Sequence, residues 1–427
     1  MTTPRVCIVT AGHMSTCPRM LKAADAMHAA GYDVRVVSAS NTPWAVEADK
    51  ELRTTRSWRW TVVDYSRATA RFRQIQTGAR RRIAHVLTRA FGSSRVPSAL
   101  YVRAYSRAHD ELVGAVTAER ADFVYGGTTG ALAAVAEAAD RMGIPYGLDL
   151  EDFHTGELSA LVGELDVVAE RIERLVLPGA AFLTTSSPMI ADAYAEKYGL
   201  RLRTIHNTFS LDPSPPPELV ARRPLRFYWF SQTLGPGRGL EDFIRAAGLA
   251  RIKGELHLRA GATQPYLGDL MRSARDAAPS LSLTLHQPAG PDAMVPLAQG
   301  YDLGLSGEEP TAINRRLCLG NKIFTYLAAG VPVLLSATPA QTRLGRELGR
   351  AALVYEPGDI AGLAEQLSCL ANDSQARWQA HFAAREAAVH RWHWEHPEDR
   401  GALLDAVGDV LPLPEAEAGA GLARSRR

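Results

Sequence analysis

One local pattern returns again and again along the 427 residues: a short β-branched run, a loop with glycine, a helix-period stretch, then another apolar run. A strand, a crossover helix and a second strand close only into parallel sheet with right-handed connections. Val6 to Thr10 is the first run. From Pro18 to Ala30, the residues Met20, Leu21, Ala24, Met27 and Ala30 share a helix face. Gly31 stands where a helix C-cap belongs, and Val34 to Val37 is the next run.

The alternation resumes after Leu112. Strands are expected at Asp122 to Gly126, Pro145 to Leu150, Ala181 to Thr185 and Arg203 to His206. Helices are expected at Ala131 to Met142, Leu165 to Leu177 and Pro188 to Tyr198. Four prolines within five positions then interrupt it, in SLDPSPPPELVARRP. Neither a helix nor a central strand tolerates them, so this stretch reads as a stiff extended connector. Beyond it, strands are expected at Leu225 to Phe230, Glu255 to Arg259, Leu281 to His286, Tyr301 to Leu305 and Val331 to Leu335. Helices fall at Leu240 to Ala250, Tyr266 to Ala277 and Lys322 to Ala329. The expectation is α/β with two Rossmann-like, doubly wound parallel-sheet domains facing a cleft. The boundaries are 1–212 for the first domain, 213–223 for the linker and 224–396 for the second domain. A C-terminal helix over 397–412 and a low-complexity tail over 413–427 complete the division.

Bulk composition excludes several function classes. With 46% apolar and 22% charged residues an ordinary core can form. Basic and acidic residues number 48 and 46, so global charge does not point to nucleic acid. Cys7, Cys17, Cys318 and Cys369 form no CxxC and no zinc spacing, so a reduced cytoplasmic protein without a metal centre is expected. The start MTTPRVCIVTAGH lacks signal-peptide features, and no apolar run reaches the roughly 20 residues of a bilayer span.

Four segments together carry a family resemblance. NKIFTYLAAGVPVL resembles the signature of the second domain in glycosyltransferase family 4, the group 1 glycosyl transferases. YWFSQTLGPGRGLEDFIRAA resembles the strand, glycine-rich turn and helix that open that domain. STCPRMLKAADAMHAAGYDVRVVS resembles the first crossover, and TIHNTF the strand that leads to the linker. The resemblance implies the GT-B fold, a nucleotide-diphospho-sugar donor in the second domain and an acceptor mostly in the first. No cofactor is implied, since positive side chains and a helix N-terminus can stabilise a leaving diphosphate without a metal.

Gly235, Gly237 and Gly239 flank Arg238 after a strand, a composition that lets backbone N–H groups approach a phosphate. The resemblance places Arg238 on the diphosphate; otherwise it is a solvated loop arginine. Lys322, beside Asn321 at an expected helix start, is electrostatically unfavourable there unless an anion is near. A bound diphosphate supplies one, and an exposed lysine is the alternative. The family's two glutamates seven residues apart would fall at Leu317 and Thr325, so this chain departs from the pattern. Glu308 and Glu309, or one hydrogen bond from Thr325, become candidates for ribose or sugar hydroxyls, against a merely solvated acidic loop.

In the first domain GLDLEDFHTGE ends an expected strand. Relatives carry aspartates and a His there. Asp149 and Asp152 match the aspartates, Glu151 falls on the His, and His154 could supply the imidazole. Carboxylates so close should perturb one another's pKa, which suits acid/base or hydroxyl-binding work; helix capping by Asp152 is the alternative. His13 occupies the first loop, where inverting GT-B enzymes hold a base, and is otherwise an acceptor-loop or solvated residue. The resemblance points Arg19 into the cleft. Gly127 and Thr128, in the loop Gly126 to Gly130, would lie against acceptor, unless the loop is only a tight turn.

Arg59 to Arg107 holds eleven arginines, no lysine and one acid, Asp64. Within this insert, bounded at 59–110, Phe72, Ile75, Ala79, Ile83, Val86, Ala90 and Phe91 recur at three- and four-residue steps. This is an amphipathic helix with an arginine-rich polar face. Such a helix can lie on an anionic membrane, at about 1 kcal/mol per basic residue, or pack on its own domain with the basic face solvated. Nucleic acid fits less well, for want of a stacking platform.

The reading is a hexosyltransferase of the nucleotide-sugar type, acting with retention on a hydroxyl of a glycan or lipid-linked precursor. It would close about its linker and work in the cytoplasm or at the inner face of the membrane. The rivals are an inverting transferase or epimerase on the same fold, and a catalytically silent GT-B scaffold.

Overall fold

The computed structural model describes residues 3–157, 163–211, 224–261 and 264–412. The expected connector at 213–223 and the tail at 413–427 lie outside the described residues.

Two α/β sheets organise the chain. The first holds β1 (Arg5–Thr10), β2 (Asp33–Ser40), β3 (Arg59–Asp64), β4 (Phe123–Gly127), β5 (Tyr146–Leu150), β6 (Phe182–Thr185) and β7 (Arg203–Thr204). Their order is β3-β2-β1-β4-β5-β6-β7. The second holds β8 (Leu225–Thr233), β9 (Gly254–Gly261), β10 (Leu281–His286), β11 (Leu303–Ser306), β12 (Val333–Ser336) and β13 (Ala352–Tyr355), in the order β10-β9-β8-β11-β12-β13. The pairings are parallel, as between β1 and β4 and between β8 and β11. In each sheet the strand order reverses once, at β1/β4 and at β8/β11. At such a reversal the connecting helices leave to opposite faces, which frees the loops at the strand carboxyl ends to hold ligands.

By packing, the chain divides into two compact units. One comprises residues up to Glu151, Val167–Thr184 and the chain from Arg400; the other comprises Asp152–Asp166 and Thr185–Asp399. In the second unit the period-two alternation of β8 sends Phe227 and Trp229 into one core and Tyr228 and Phe230 into another. Both cores are sealed by helices, which explains the near-continuous apolar strands.

Several elements lie outside the sequence expectation. β3 was absorbed into the basic insert; it is an edge strand with only β2 beside it, so its apolar signal is diluted. β13 and the helices Pro43–Thr55, Ser98–Tyr105, His109–Thr117, Pro339–Leu348, Ile360–Asn372 and Ser374–His390 are also additional. The helix expected over 397–412 is a π-helical stretch, Pro397–Gly401, followed by a short α-helix, Ala402–Gly408.

The insert does form a helix, Arg71–Phe91, but the alternative of an apolar face packed on its own domain fails. Thr77, Ala84 and Thr88 are buried, while Phe72, Ile75, Ile83, Val86 and Phe91 face outward. Arginine chemistry explains the inversion. Arg107 donates to Thr77 Oγ1 at 2.9 Å, and Arg80 pairs with Asp110 at 3.1 Å and with Glu111 at 2.5 Å. Polar bonds therefore anchor the inner face.

Gly304 in β11 packs directly under Tyr326, where an added Cβ would lie 2.3 Å from the ring. That ring is fixed, because Tyr326 is buried and its hydroxyl donates to Tyr228 O at 3.1 Å and Leu305 O at 3.3 Å. Gly304→Ala is expected to cost about 1–3 kcal/mol, measured by urea unfolding.

Candidate active site

In the second unit, β8 runs into the loop 234–239 and then the helix Leu240–Leu249. Gly237 and Gly239 both adopt left-handed backbone, with φ of 72° and 71°. A Cβ at Gly239 would lie 2.3 Å from Gly307 O, so glycine is obligatory where this loop touches the one after β11. Gly237 O accepts from Glu309 N–H at 3.2 Å and from Arg315 Nη1 at 3.0 Å. The two loops are thus stitched together by backbone. Arg238 stands between the two glycines, half-buried, with no ion pair among the described residues.

Lys322 and Glu308 find each other. Lys322, in the first turn of the helix Asn321–Ala328, is buried, and its ammonium pairs with the Glu308 carboxylate. The expected anion at this helix start is supplied by the protein itself, and the exposed-lysine alternative fails. Glu308 also accepts from Ser306 Oγ at 2.9 Å, and its carbonyl accepts from Ser336 Oγ at 2.7 Å. Burial alone would raise the Glu308 carboxyl, but Lys322 and the Ser306 hydroxyl hold it below the ordinary glutamate range. Glu308 is therefore neither a solvated loop acid nor a carboxylate free for sugar hydroxyls. Glu309 is half-buried, with its backbone committed to Gly237. Asn321 is half-buried too, its carbonyl accepting the Thr325 hydroxyl at 3.0 Å. Thr325 is itself fully buried, so its expected role toward a ribose is overturned: the hydroxyl serves its own helix.

Sequence reasoning missed other groups here. Arg315 shapes the glycine loop, and its only signal was a pair of arginines after an acidic loop. Tyr355 Oη, beside Gly239 and Gly307, has no hydrogen-bond partner among the described residues, and neither do Glu241 Oε2 and Trp229 Nε1. Trp229 also lies under Lys322, 6.0 Å from the ammonium to the ring centroid.

In the first unit, Arg19 is buried and bidentate on Asp149, with Nε at 2.7 Å and Nη2 at 2.5 Å. Asp149 also accepts from Thr184 Oγ1 at 2.6 Å, and Thr184 meets Tyr125 Oη at 2.7 Å. Burial works against the Arg19 charge, but Asp149 carries the net pKa upward. Arg19 thus faces a carboxylate of its own unit, and the expectation that it contacts acceptor is corrected. Asp149, likewise buried, is its counter-charge rather than an exposed acid or base.

His13 is corrected as well. It is buried, and its Nδ1–H donates to Asp49 at 2.7 Å. Its Nε2 accepts from the N–H groups of Asn41 and Thr42, both at 3.0 Å. The lone pair that would take an acceptor proton is occupied, so His13 is a structural clamp.

The remaining members of the Asp149 to His154 segment have separate partners. Glu151 is half-buried and adds to the field that raises Arg19. Asp152 accepts from Asn314 Nδ2 at 2.8 Å, while Asn314 Oδ1 accepts from Phe153 N–H at 2.8 Å. His154 is buried and pairs with Glu157. Gly127 leaves room for Asp149 and Met20, whose atoms would lie 3.0 to 3.2 Å from a Cβ there. Thr128 has φ of 72°, a strained conformation for a β-branched residue. Its Oγ1 accepts from Ala11 N–H at 3.4 Å, joining the loops after β1 and β4.

The Lys322–Glu308 pair sets a pH dependence. A depressed carboxylate contributes stability that is present above its ordinary pKa of 4.5 and lost as pH falls below it. Glu308→Gln should remove that acid-side loss while costing about 3–5 kcal/mol at neutral pH, because Lys322 stays buried without a counter-charge; denaturant titrations across pH read both. His13→Ala should cost about 1–3 kcal/mol through two unsatisfied N–H groups. A pH–rate profile unchanged on its acidic limb distinguishes this clamp from a base.

Comparison with known proteins agrees with this geometry. Residues 18–208 match the model of the glycosyl transferase 4-like domain. No curated protein sequence matches the chain. Among solved structures, HepE of Anabaena in complex with UDP and glucose is similar at 15% identity and a TM-score of 0.66, covering 96% of this chain and 99% of that one. TarM is similar at 9% identity and 0.65, covering 96% and 99%. Sucrose-phosphate synthase of Thermosynechococcus elongatus is similar at 11% identity and 0.62, covering 95% and 98%. These likenesses show the GT-B fold, in keeping with two parallel α/β sheets that each reverse strand order once, and residues 18–208 are similar to the glycosyl transferase 4-like domain.

Proposed function

We propose that the protein transfers a hexose from a nucleoside-diphosphate sugar to a hydroxyl of a glycan or lipid-linked precursor, with retention, at the inner face of a membrane. The observation that carries the donor assignment is Arg238: a half-buried guanidinium with no ion pair among the described residues, on a loop locked by Gly237 and Gly239. A leaving diphosphate is the partner such a group suits. The bond from the anomeric carbon to the phosphate oxygen breaks, a bond to the acceptor oxygen forms, and the proton of the acceptor hydroxyl passes to the departing diphosphate oxygen.

In this reading Arg238 and the helix that starts at Leu240 take the developing charge. Lys322 has three N–H donors, of which Glu308 engages only part, so it can reach the same anion. Glu309 and Asn321 are assigned to donor hydroxyls, and the half-buried Glu151 and Asp152 to hydroxyls of sugar or acceptor. These cations take the role a metal ion would otherwise fill. The structures similar to this chain support a uridine nucleotide as the first donor to try, since HepE is described with UDP-glucose and a TarM variant with UDP and alpha-GlcNAc-glycerol.

Thermal shift against UDP-, GDP-, ADP- and dTDP-sugars should show stabilisation by one nucleotide class, because a ligand that binds only the folded state stabilises by mass action. With that donor, Arg238→Ala should lower kcat by about two orders of magnitude, chelation should leave transfer intact, and NMR should show a product anomer of the same configuration as the donor. No donor-dependent shift and no transfer in any pairing would remove the enzyme reading.

A further inference from the structure

The Arg71–Phe91 helix turns its apolar stripe away from the protein. Phe72 is 80% exposed, Ile75 60%, Ile83 61%, Val86 62% and Phe91 60%. Ala79 and Ala90, which continue the stripe, are exposed as well. At 3.6 residues per turn, residues 72, 75, 79, 83, 86 and 90 fall on one side, opposite the buried Thr77, Ala84 and Thr88. Among the described residues no other element leaves more than two large apolar side chains exposed. A continuous apolar stripe of this kind marks a surface that is covered in use.

Charge decides what covers it. Arg71, Arg82 and Arg89, spaced by eleven and seven residues, form a column along one border of the stripe, and Arg73 lies on the other. Residues 65–107 contain no Asp and no Glu. A second copy of this helix would set arginine column against arginine column, an unfavourable arrangement. Nucleic acid would use the arginines and leave the apolar stripe in water. An anionic bilayer satisfies both features: acyl chains take the stripe, and lipid phosphates take arginines whose stems lie along the boundary.

We propose that this helix is the membrane-docking surface of the protein, lying in the plane of an anionic bilayer with Phe72, Ile75, Ile83 and Val86 inserted. The inference rests on the membrane-side part of the function proposed above, but its test is separable from it: docking is measured without a sugar nucleotide, and transfer is measured on a soluble acceptor without vesicles.

The full chain is floated with vesicles of phosphatidylcholine, with and without phosphatidylglycerol. Binding to the phosphatidylglycerol vesicles, weakened by salt, is expected. A tryptophan placed by Phe72→Trp should shift its emission to the blue on those vesicles. The variant Ile75→Ser/Ile83→Ser/Val86→Ser changes only exposed positions and should keep its circular dichroism while binding at least about tenfold more weakly. Arg71→Gln/Arg82→Gln should reduce the preference for the anionic lipid. No binding to anionic vesicles overturns the proposal, as does binding that the triple-serine variant retains in full. A dimer that this variant dissolves would overturn it in favour of a second copy, and capture by duplex nucleic acid in place of vesicles would do so in favour of that polymer.

Discussion

The Glu308 carboxylate is the point on which the second unit's loops turn. A buried carboxylate is tolerated only when charge and hydrogen bonds surround it, and here Lys322 and Ser306 do so. Those partners come from different places: Lys322 from the helix before β12, Ser306 from the end of β11, and Ser336, from the end of β12, bonds the Glu308 carbonyl. One residue, through its carboxylate and its carbonyl, therefore ties together three chain segments at the carboxyl edge of the sheet. The neighbouring Glu309 then ties in the glycine loop through its backbone. Arg238 inherits its position from that chain of constraints.

The first unit solves the same problem with the opposite polarity. Arg19 begins the crossover helix after β1, and Asp149 closes β5. Their bidentate contact, with Thr184 and Tyr125 behind it, holds strand ends together beneath the surface. His13 adds a second clamp through Asp49 and the backbone of Asn41 and Thr42. In both units the polar residues nearest the strand reversals build the scaffold, while Arg238, Glu309, Asn321 and Glu151 stay half-buried. Thr128 sits in a strained turn beside this scaffold, as residues near working sites often do.

The basic insert shows how far pattern alone carries. Its helical periodicity was legible, since Phe72 to Ala90 recur at the right steps. Which face turns inward was not, because hydrophobic periodicity predicts burial and cannot see Arg80 and Arg107 bonding to Asp110, Glu111 and Thr77. The same blindness affected His13, Arg19 and Thr325. Each is a residue type suited to a site at a spacing suited to a site, and each is consumed by a partner distant in sequence or a turn away.

The sequence by itself determined the α/β class, the parallel crossovers and the loops that carry glycine, because period, turn residues and proline breaks act over a few neighbouring positions. It located the glycine loop around Arg238 and the helix of Lys322 for the same reason. Only the tertiary structure decided which charges are spent on one another: Lys322 on Glu308, Arg19 on Asp149, His13 on Asp49. Those pairings lie 14 to 130 positions apart. Desolvation, which makes them compulsory, acts only once the strands have brought their ends together.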